Sequence, residues 1–496
     1  MAFPASSVSA MEMSACPSIM LSALRRWWRW GATPIALGVA AIIYVFNALT
    51  YAEGSAMLPE GGGSASYARL AFNDIIGFTS GWMLMLSYIV TVAISAYTVP
   101  PYLSYFWPAL THPVAGTLVA MGIVFLLMLI NVFGTRESSG LNIFFISIGI
   151  VTQITLVVLG AMLLLIPNPQ LLVEHMFGPG NWPSAQNLVF GIAIAALCFT
   201  GVESVAQQGE ETRRPERTMP RAYILMIVAV LVLFAGISLV ALTAMTPQEL
   251  GDPVNGWARD PVAGIASAVS KAIVPEQIAA GVASEETRII IVWILRSVRD
   301  LLPALVAILA ATILVTATNA GILGISRLTY NLSTHRQLPA TLSRVHHRFR
   351  TPYVTIILFC SACLALLIPG FFSPSFFVDL GALYVFGSLL VFALAHAAIL
   401  RLRITKPDLR RPFRLGGNIK IGRHALPVTA IMGLLGTIGV WTVVIIIQPY
   451  SRTAGFIWLA LGFVVYSIYR WTQHLSLIHV EKDAKEKVAP DKTELK

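Results

Sequence analysis

Charge is what this chain lacks most. Only 12% of its 496 residues are Asp, Glu, Lys or Arg, whereas 56% are hydrophobic. Soluble proteins carry about 25% charged residues, so this chain has too few charges to cover its surface in water. Uncharged runs such as Tyr223–Met245 exceed the roughly 18 residues that cross a hydrocarbon core. The composition therefore excludes a soluble globular protein and predicts an all-α polytopic membrane protein.

Cysteine and the common catalytic motifs are also scarce. The four cysteines are Cys16, Cys198, Cys360 and Cys363, three of them inside apolar runs, so no disulfide framework is predicted. We interpret the Cys360–Cys363 pair as small packing residues rather than a redox or metal site. The sequence has no GxxxxGK[ST] phosphate loop, no GxSxG elbow and no metal-ligand spacing. These absences argue against ATP-driven chemistry, against an enzyme and against a bound metal or cofactor.

The net charge of +10 does not indicate nucleic-acid binding, because the basic residues lie in short loops between apolar runs. Three such loops, Thr212–Arg221, Ser343–Arg350 and Arg401–Arg414, fall on one side if the spans alternate. Positive loops face the cytoplasm. The sequence thus predicts a multi-pass protein of the cytoplasmic membrane with a cytoplasmic C-terminus.

Hydropathy predicts about eleven spans within a transporter domain of residues 32–470. Residues 1–31 form an atypical N-terminal segment, residues 471–496 a charged cytoplasmic tail, and residues 246–300 a polar loop containing a short amphipathic helix on the outer surface. The predicted spans lie near Pro34–Tyr51, Phe78–Val99, Val114–Phe133, Leu141–Ile166, Leu188–Gln207, Ala222–Met245, Leu301–Leu328, Val354–Phe371, Phe377–Leu400, Leu426–Ile447 and Ala454–Tyr469.

Four segments, in order, resemble the amino acid–polyamine–organocation (APC) permeases. They are Tyr51–Phe72, Phe199–Ala222 (which begins FTGVES), Thr318–Tyr353 and Leu402–Arg414. The resemblance implies an inverted repeat of five plus five helices followed by two more, with substrate near the midplane, where the first and sixth helices unwind. The eleven spans match the family's second to twelfth helices. The first helix is therefore missing or truncated, and residues 1–31 are interpreted as its remnant.

Glu203 stands out because a carboxylate in hydrocarbon costs several kcal/mol unless it is paired, hydrated or protonated. Three explanations remain open from the residues alone: snorkelling to the cytoplasmic interface, a hydrogen bond to a neighbouring helix, or a proton site. Gly201, two residues earlier, permits a break in the helix. The stretch is close to the FIGVES of the family's arginine/agmatine antiporters, and this similarity implies an unwound turn, an aromatic gate and a proton-sensing glutamate.

That similarity assigns the substrate site to Phe199, Thr200, Gly201, Val202 and Ser204, with Glu203 as the proton-coupling residue. The antiporters hold arginine with a tryptophan, and Leu197 stands at the matching position here. A neutral or hydrophobic amino acid is therefore expected instead of arginine.

Other polar residues in the spans are secondary candidates. Tyr88, Thr316 and Asn319 could line the substrate site, with ordinary helix packing as the alternative. Gln153 stands near the place where some relatives have a lysine that ties the first helix to the eighth. A helix–helix hydrogen bond is the simpler explanation of Gln153.

Glu53 is expected to bind a basic residue and close the cytoplasmic side of a rocking transporter. Arg69 and Arg327 are its predicted partners in this cytoplasmic gate. His396, inside an apolar helix, is interpreted as a helix–helix hydrogen bond rather than a proton relay.

The residues and the resemblance together predict a secondary active transporter of amino acids that takes up neutral amino acids with protons. An amino acid or polyamine exchanger is the alternative within the class, and a transport-inactive truncated or regulatory membrane protein is the alternative outside it. The expected partners are a small amino acid, a proton and the membrane lipids; nucleic acid is not expected.

Overall fold

The computed structural model describes residues 32–134, 139–178, 182–196, 199, 201–246, 261–274, 284–373, 376–421 and 424–478. The predictions for the N-terminal segment 1–31, for Thr200 and for the tail beyond residue 478 lie outside these residues.

Fifteen α-helices and one short hairpin account for most of the described chain. The helices are α1 Thr33–Met57, α2 Ser64–Ala71, α3 Asp74–Leu103, α4 Pro113–Phe133, α5 Ser139–Gly160, α6 Pro169–Phe177, α7 Ala185–Ala195, α8 Val202–Ala206, α9 Pro215–Ala244, α10 Pro261–Ala272, α11 Glu285–Thr334, α12 Tyr353–Leu367, α13 Phe376–Thr405, α14 Val428–Ile447 and α15 Pro449–Thr472. A π-helical turn, Ala161–Leu165, extends α5. The antiparallel strands β1 (Asn418–Ile421) and β2 (His424–Pro427) place Asn418 opposite Pro427.

Ten helices within the described ranges are long and apolar enough to cross a membrane. They correspond to ten of the eleven predicted spans. The remaining span, Leu188–Gln207, is divided between α7 and α8, as expected for the broken sixth helix. The all-α polytopic fold predicted from the sequence is confirmed.

Local sequence explains where several helices begin and end. Proline opens α4, α9 and α15, where its missing N–H costs no helical hydrogen bond. The Asn73 side chain accepts a hydrogen bond from the Ile76 N–H at 3.0 Å and caps α3. Gly134 ends α4 with φ +64°, a left-handed conformation that favours glycine.

Helices α3 and α13 form the centre of the bundle. Both are buried over most of their length, whereas α4, α14 and α15 present largely exposed faces. Helix α3 packs against α11 and α13. Apolar faces left open on the peripheral helices are the surfaces that contact lipid in a spanning protein.

The region before α11 differs from the prediction in one way. Helix α11 begins at Glu285, so residues 285–300, predicted as loop, are helical. The charged RSVRD does not end the helix, which extends back through IIIVWIL. Helix α10 is the predicted short amphipathic helix, and its apolar residues Val262, Ile265 and Val269 are buried against protein.

Candidate functional site

The sixth span is interrupted next to Gly201. Helix α7 ends at Ala195 and α8 begins at Val202, with Gly201 at φ +88°. A right-handed helix cannot pass through this conformation, and a side chain at Gly201 would be strained there. The Ser204 N–H bonds to the Gly201 carbonyl at 3.1 Å, which starts the new helix. The helix is therefore interrupted at the position where the break was predicted from the sequence.

Phe199 lies on the α7 side of the break in an aromatic cluster. Its ring is 5.3 Å from the ring of Tyr44 on α1 and 5.1 Å from that of Phe234 on α9. The side chain is buried. These contacts give the break an apolar wall and place Phe199 between α1 and α9 rather than against lipid.

Glu203 is buried on the other side of the break, with 4% of the residue exposed. The Tyr384 hydroxyl on α13 donates a hydrogen bond to its Oε1 at 2.9 Å. Oε2 has no hydrogen-bond partner among the described residues. Because Glu203 is buried, its side chain does not snorkel to the interface. Its contact with Tyr384 is a hydrogen bond to a neighbouring helix, which was the second of the three explanations. A half-satisfied buried carboxylate is costly when ionised.

The short helix α8 is tied to three neighbouring helices. The hydroxyls of Ser204 and Tyr88 lie 3.2 Å apart, which joins α8 to α3. The Tyr223 hydroxyl on α9 donates to the Val202 carbonyl at 3.1 Å and lies 3.2 Å from the Ser55 hydroxyl on α1. The structure thus brings Tyr88, Val202 and Ser204 together at the break.

Thr316, Asn319 and Gln153 make other contacts. The Thr316 hydroxyl donates to the Thr312 carbonyl of its own helix at 3.0 Å. The Asn319 side chain accepts a 2.6 Å hydrogen bond from Asn131, which joins α11 to α4. Gln153 is buried, and its Oε1 makes no hydrogen bond within the part of the chain that the structure describes.

Glu53 binds neither of its predicted partners. It is fully buried at the end of α1, where Arg403 Nε lies 2.7 Å from Oε1 and Arg403 Nη2 2.6 Å from Oε2. The Leu415 N–H adds a hydrogen bond at 3.0 Å, and Arg411 Nε lies 3.8 Å from Oε1. The prediction of Arg69 or Arg327 as the partner is corrected: α13, 350 residues away in sequence, supplies the arginine.

Arg69 and Arg327 form separate ion pairs at the same end of the bundle. Arg69 pairs with Glu60 at 3.0 Å, and Arg327 on α11 pairs with Glu211 at 3.0 Å. The Gly61 N–H bonds to Glu210 Oε1 at 2.7 Å. We call this end, where loops 58–63, 207–214 and 406–417 lie, the basic end. These contacts hold the segment after α8 against α11 and against the loop after α1.

His396 makes the predicted helix–helix hydrogen bonds. Its Nδ1 lies 2.9 Å from the Thr50 hydroxyl, and its Nε2 lies 2.7 Å from Asn47 Oδ1. Both partners are on α1. Together with the Glu53–Arg403 pair, they tie α1 to α13 at two levels.

Sequence reasoning missed Tyr384, Tyr223 and Arg403. Two signals were available: Tyr384 carries one of two hydroxyls within the uncharged LGALYVFGSLL, and Arg403 lies inside a segment that resembles a family motif. Neither signal identifies the residue that is contacted. Tyr384, for example, contacts Glu203, which is 181 residues away in the sequence.

Comparison with known proteins agrees with this architecture. The family model described as "Amino acid permease" matches residues 6–469. The uncharacterized transporter Rv1999c of Mycobacterium tuberculosis is 27% identical over 82% of this chain and 81% of its own length. The branched-chain amino acid permease BcaP of Bacillus subtilis is 25% identical over 88% and 85%, and the methylthioribose transporter of the same organism is 25% identical over 88% and 86%. The broken sixth span, the helical bundle and the family match over nearly the whole chain show that this protein is a transporter that belongs to the amino acid permease family.

Proposed function

We propose that this protein takes up neutral, apolar amino acids together with protons across the cytoplasmic membrane, with its C-terminus in the cytoplasm. The observation that carries the proposal is the half-satisfied, buried Glu203 directly beside the break at Gly201. A carboxylate next to a substrate site can exchange a proton when substrate arrives or leaves, which is the minimum that proton coupling requires.

The apolar wall at the break favours a neutral substrate. Phe199, Tyr44 and Phe234 present rings there, and the amino and carboxylate groups of the substrate would bind backbone groups released at the break, with Thr200, Val202 and Ser204 nearby. One relative is named a branched-chain amino acid permease. Leucine, isoleucine and valine suit such a wall, because an apolar side chain gains free energy on leaving water, whereas the arginine side chain would lose hydration.

Tyr384 would stabilise Glu203 in either protonation state. Its hydroxyl donates to Oε1, so Oε2 is the atom at which a proton would bind and leave. Gln207 lies four residues on, one turn nearer the basic end, and is also buried without a side-chain hydrogen bond among the described residues. Water bound between such groups is the usual means of satisfying them. We infer that the proton leaves toward the cytoplasm past Gln207.

The ion pairs at the basic end would form the cytoplasmic gate. Arg327 on α11 and Glu211 beyond α8 join two parts of the bundle that must separate if the site opens to this side. Arg69 would hold Glu60 in the loop after α1, and Glu53 would fix α1 to α13. Tyr88 would move together with α8, because its hydroxyl contacts the Ser204 hydroxyl. Thr316, Asn319 and Gln153 would support the walls of the site.

The test is uptake by purified protein in proteoliposomes with an inward proton gradient. Labelled leucine is the substrate, and unlabelled isoleucine, valine, arginine, glutamate and putrescine are competitors. The proposal predicts that isoleucine and valine compete and that the charged compounds do not. Competition by arginine or putrescine would contradict the proposal of a neutral substrate and favour the alternative, an amino acid or polyamine exchanger. The absence of any uptake would refute the proposal.

A further inference from the structure

Helix α11 is much longer than a membrane span requires. Its 50 residues extend over about 75 Å at 1.5 Å per residue, whereas about 20 residues cross the hydrocarbon core. Arg327, paired with Glu211, marks the basic end, and about 20 residues back from it the helix reaches Ala307. Residues 285–302, which we call the α11 extension, therefore lie beyond the core on the side opposite the basic end.

The α11 extension exposes large apolar side chains in a continuous stripe. Ile290, Ile294 and Leu301 are 58%, 47% and 63% exposed. Spacings of three and four residues place side chains on one face of a helix. The same face continues with Leu305 and Ile308, 46% and 51% exposed, in the membrane-crossing part. The stripe is thus an extension of the surface that α11 presents to lipid.

The apolar sector of the α11 extension is wider than one partner helix would cover. Ile289 and Trp293, 61% and 69% exposed, lie beside the stripe. A helix that packs on another helix needs an apolar stripe about 100° wide, and the five exposed side chains spread over roughly 140° at 100° per residue. Tryptophan beside arginine is typical of segments in the membrane interface, and Arg288 and Arg299 occupy the opposite face of the helix. Lipid accounts for this surface better than a protein partner does.

Pro303 marks the place where the α11 extension can change direction. Proline has no N–H, so the Arg299 carbonyl four residues earlier loses its helical partner. The Ser270 hydroxyl on α10 donates to this carbonyl at 2.6 Å. Proline is a common cause of kinks in long helices. Helix α10, whose apolar residues are buried in the core, thus holds the helix at its weakest point.

We propose that the α11 extension is a membrane-surface anchor that lies in the lipid interface opposite the basic end. Ile290, Trp293 and Ile294 insert among the acyl chains, and Arg288 on the other face meets the phosphate groups of the lipid head groups. A bend at Pro303, which is part of this proposal, sets the extension along the bilayer, and the Ser270 hydrogen bond holds the helix there. The anchor is independent of substrate and coupling.

The experiment compares two faces of the extension in the full-length protein. Ile294→Cys and Arg288→Cys are made after Cys16, Cys198, Cys360 and Cys363 are replaced by alanine, and each cysteine is labelled with the fluorophore NBD. The proteins are reconstituted in phosphatidylcholine/phosphatidylglycerol vesicles that contain doxyl-labelled lipid. Ile308→Cys serves as the lipid-facing reference.

Quenching by the doxyl lipid at position 294 should exceed that at position 288 about two-fold or more, as expected for an amphipathic helix in the interface. Equal quenching at the two positions, or strong iodide quenching at 294, would overturn the anchor. Disulfide-linked dimers of Ile294→Cys without lipid quenching would overturn it in favour of a second copy of the chain.

A second measurement needs no change to the native cysteines. In vesicles with brominated lipid, the wild-type protein should lose more tryptophan fluorescence than Trp293→Phe does, because the removed tryptophan is one that contacts lipid. Equal fractional quenching of the two proteins would refute lipid contact at position 293.

Discussion

Replacing Glu53 by glutamine should be among the most destabilising single changes at the basic end. Glu53 is fully buried and accepts two short hydrogen bonds from Arg403 and one from the Leu415 N–H. The isosteric glutamine keeps the volume but removes the negative charge, so the Arg403 guanidinium is left buried without a counter-ion. Removal of one partner from a buried ion pair costs about 3–5 kcal/mol.

Arg411 makes the loss of Glu53 larger. Burial and the neighbouring Arg403 lower the pKa of Arg411, and Glu53 acts in the opposite direction. Without Glu53 the Arg403 and Arg411 guanidinium groups lose the carboxylate that they share. Arg411 also donates to the Leu402, Lys406, Pro407 and Leu409 carbonyls, so the loop before β1 should loosen together with the end of α13.

The matched control for Glu53→Gln is Glu211→Gln. It removes the same charge from the Arg327–Glu211 pair, in which the side chains are 35% and 62% exposed. An exposed pair contributes about 0–1 kcal/mol. The assay is the midpoint of thermal unfolding of the purified protein in detergent, followed by the fraction that remains monodisperse. We expect a clear fall in the midpoint for Glu53→Gln and little change for Glu211→Gln. Equal midpoints would refute the inference that the buried pair holds α1 to α13.

Three further predictions concern the break and the core. Tyr384→Phe should weaken proton-driven uptake, because it removes the hydroxyl that donates to Glu203; unchanged uptake would contradict this. Gly201→Ala should reduce transport, because a side chain is strained at the φ of +88° of this residue. Gly38→Ala on α1 is the control and should keep wild-type transport, because an added Cβ meets open space there. Equal uptake by the two variants would refute the role of the break. His396→Leu should lower the melting midpoint, since each of its two partners on α1 loses a buried hydrogen bond worth about 1 kcal/mol or more; a midpoint equal to that of the wild type would disprove this tie.

Features encoded locally could be predicted from the sequence. Hydropathy located the spans because a helix that crosses lipid must be apolar over its own length. Gly201 and the family resemblance located the break because backbone conformation depends on neighbouring residues. Contacts between distant helices could not be predicted in this way. Glu53 was assigned Arg69 or Arg327 as its partner, while the fold brings Arg403 from a helix 350 residues later. Tyr384 reaches Glu203 for the same reason.

The limits of helix α11 show a second kind of error. The predicted span began near Leu301, after the charges at Arg296, Arg299 and Asp300. A helix can nevertheless continue beyond the membrane, since its hydrogen bonds do not depend on lipid. Hydropathy therefore predicted the crossing part and missed residues 285–300.

The most direct test of the central claim is leucine uptake by wild-type protein and by Glu203→Gln, each with and without an inward proton gradient. Leucine/leucine exchange without a gradient is measured in the same vesicles as the control for folding and substrate binding. If Glu203 carries the coupled proton, the gradient should stimulate uptake by the wild type but not by the variant, and exchange should persist in both. Equal stimulation of the two proteins would contradict the account and leave Glu203 with a structural role only.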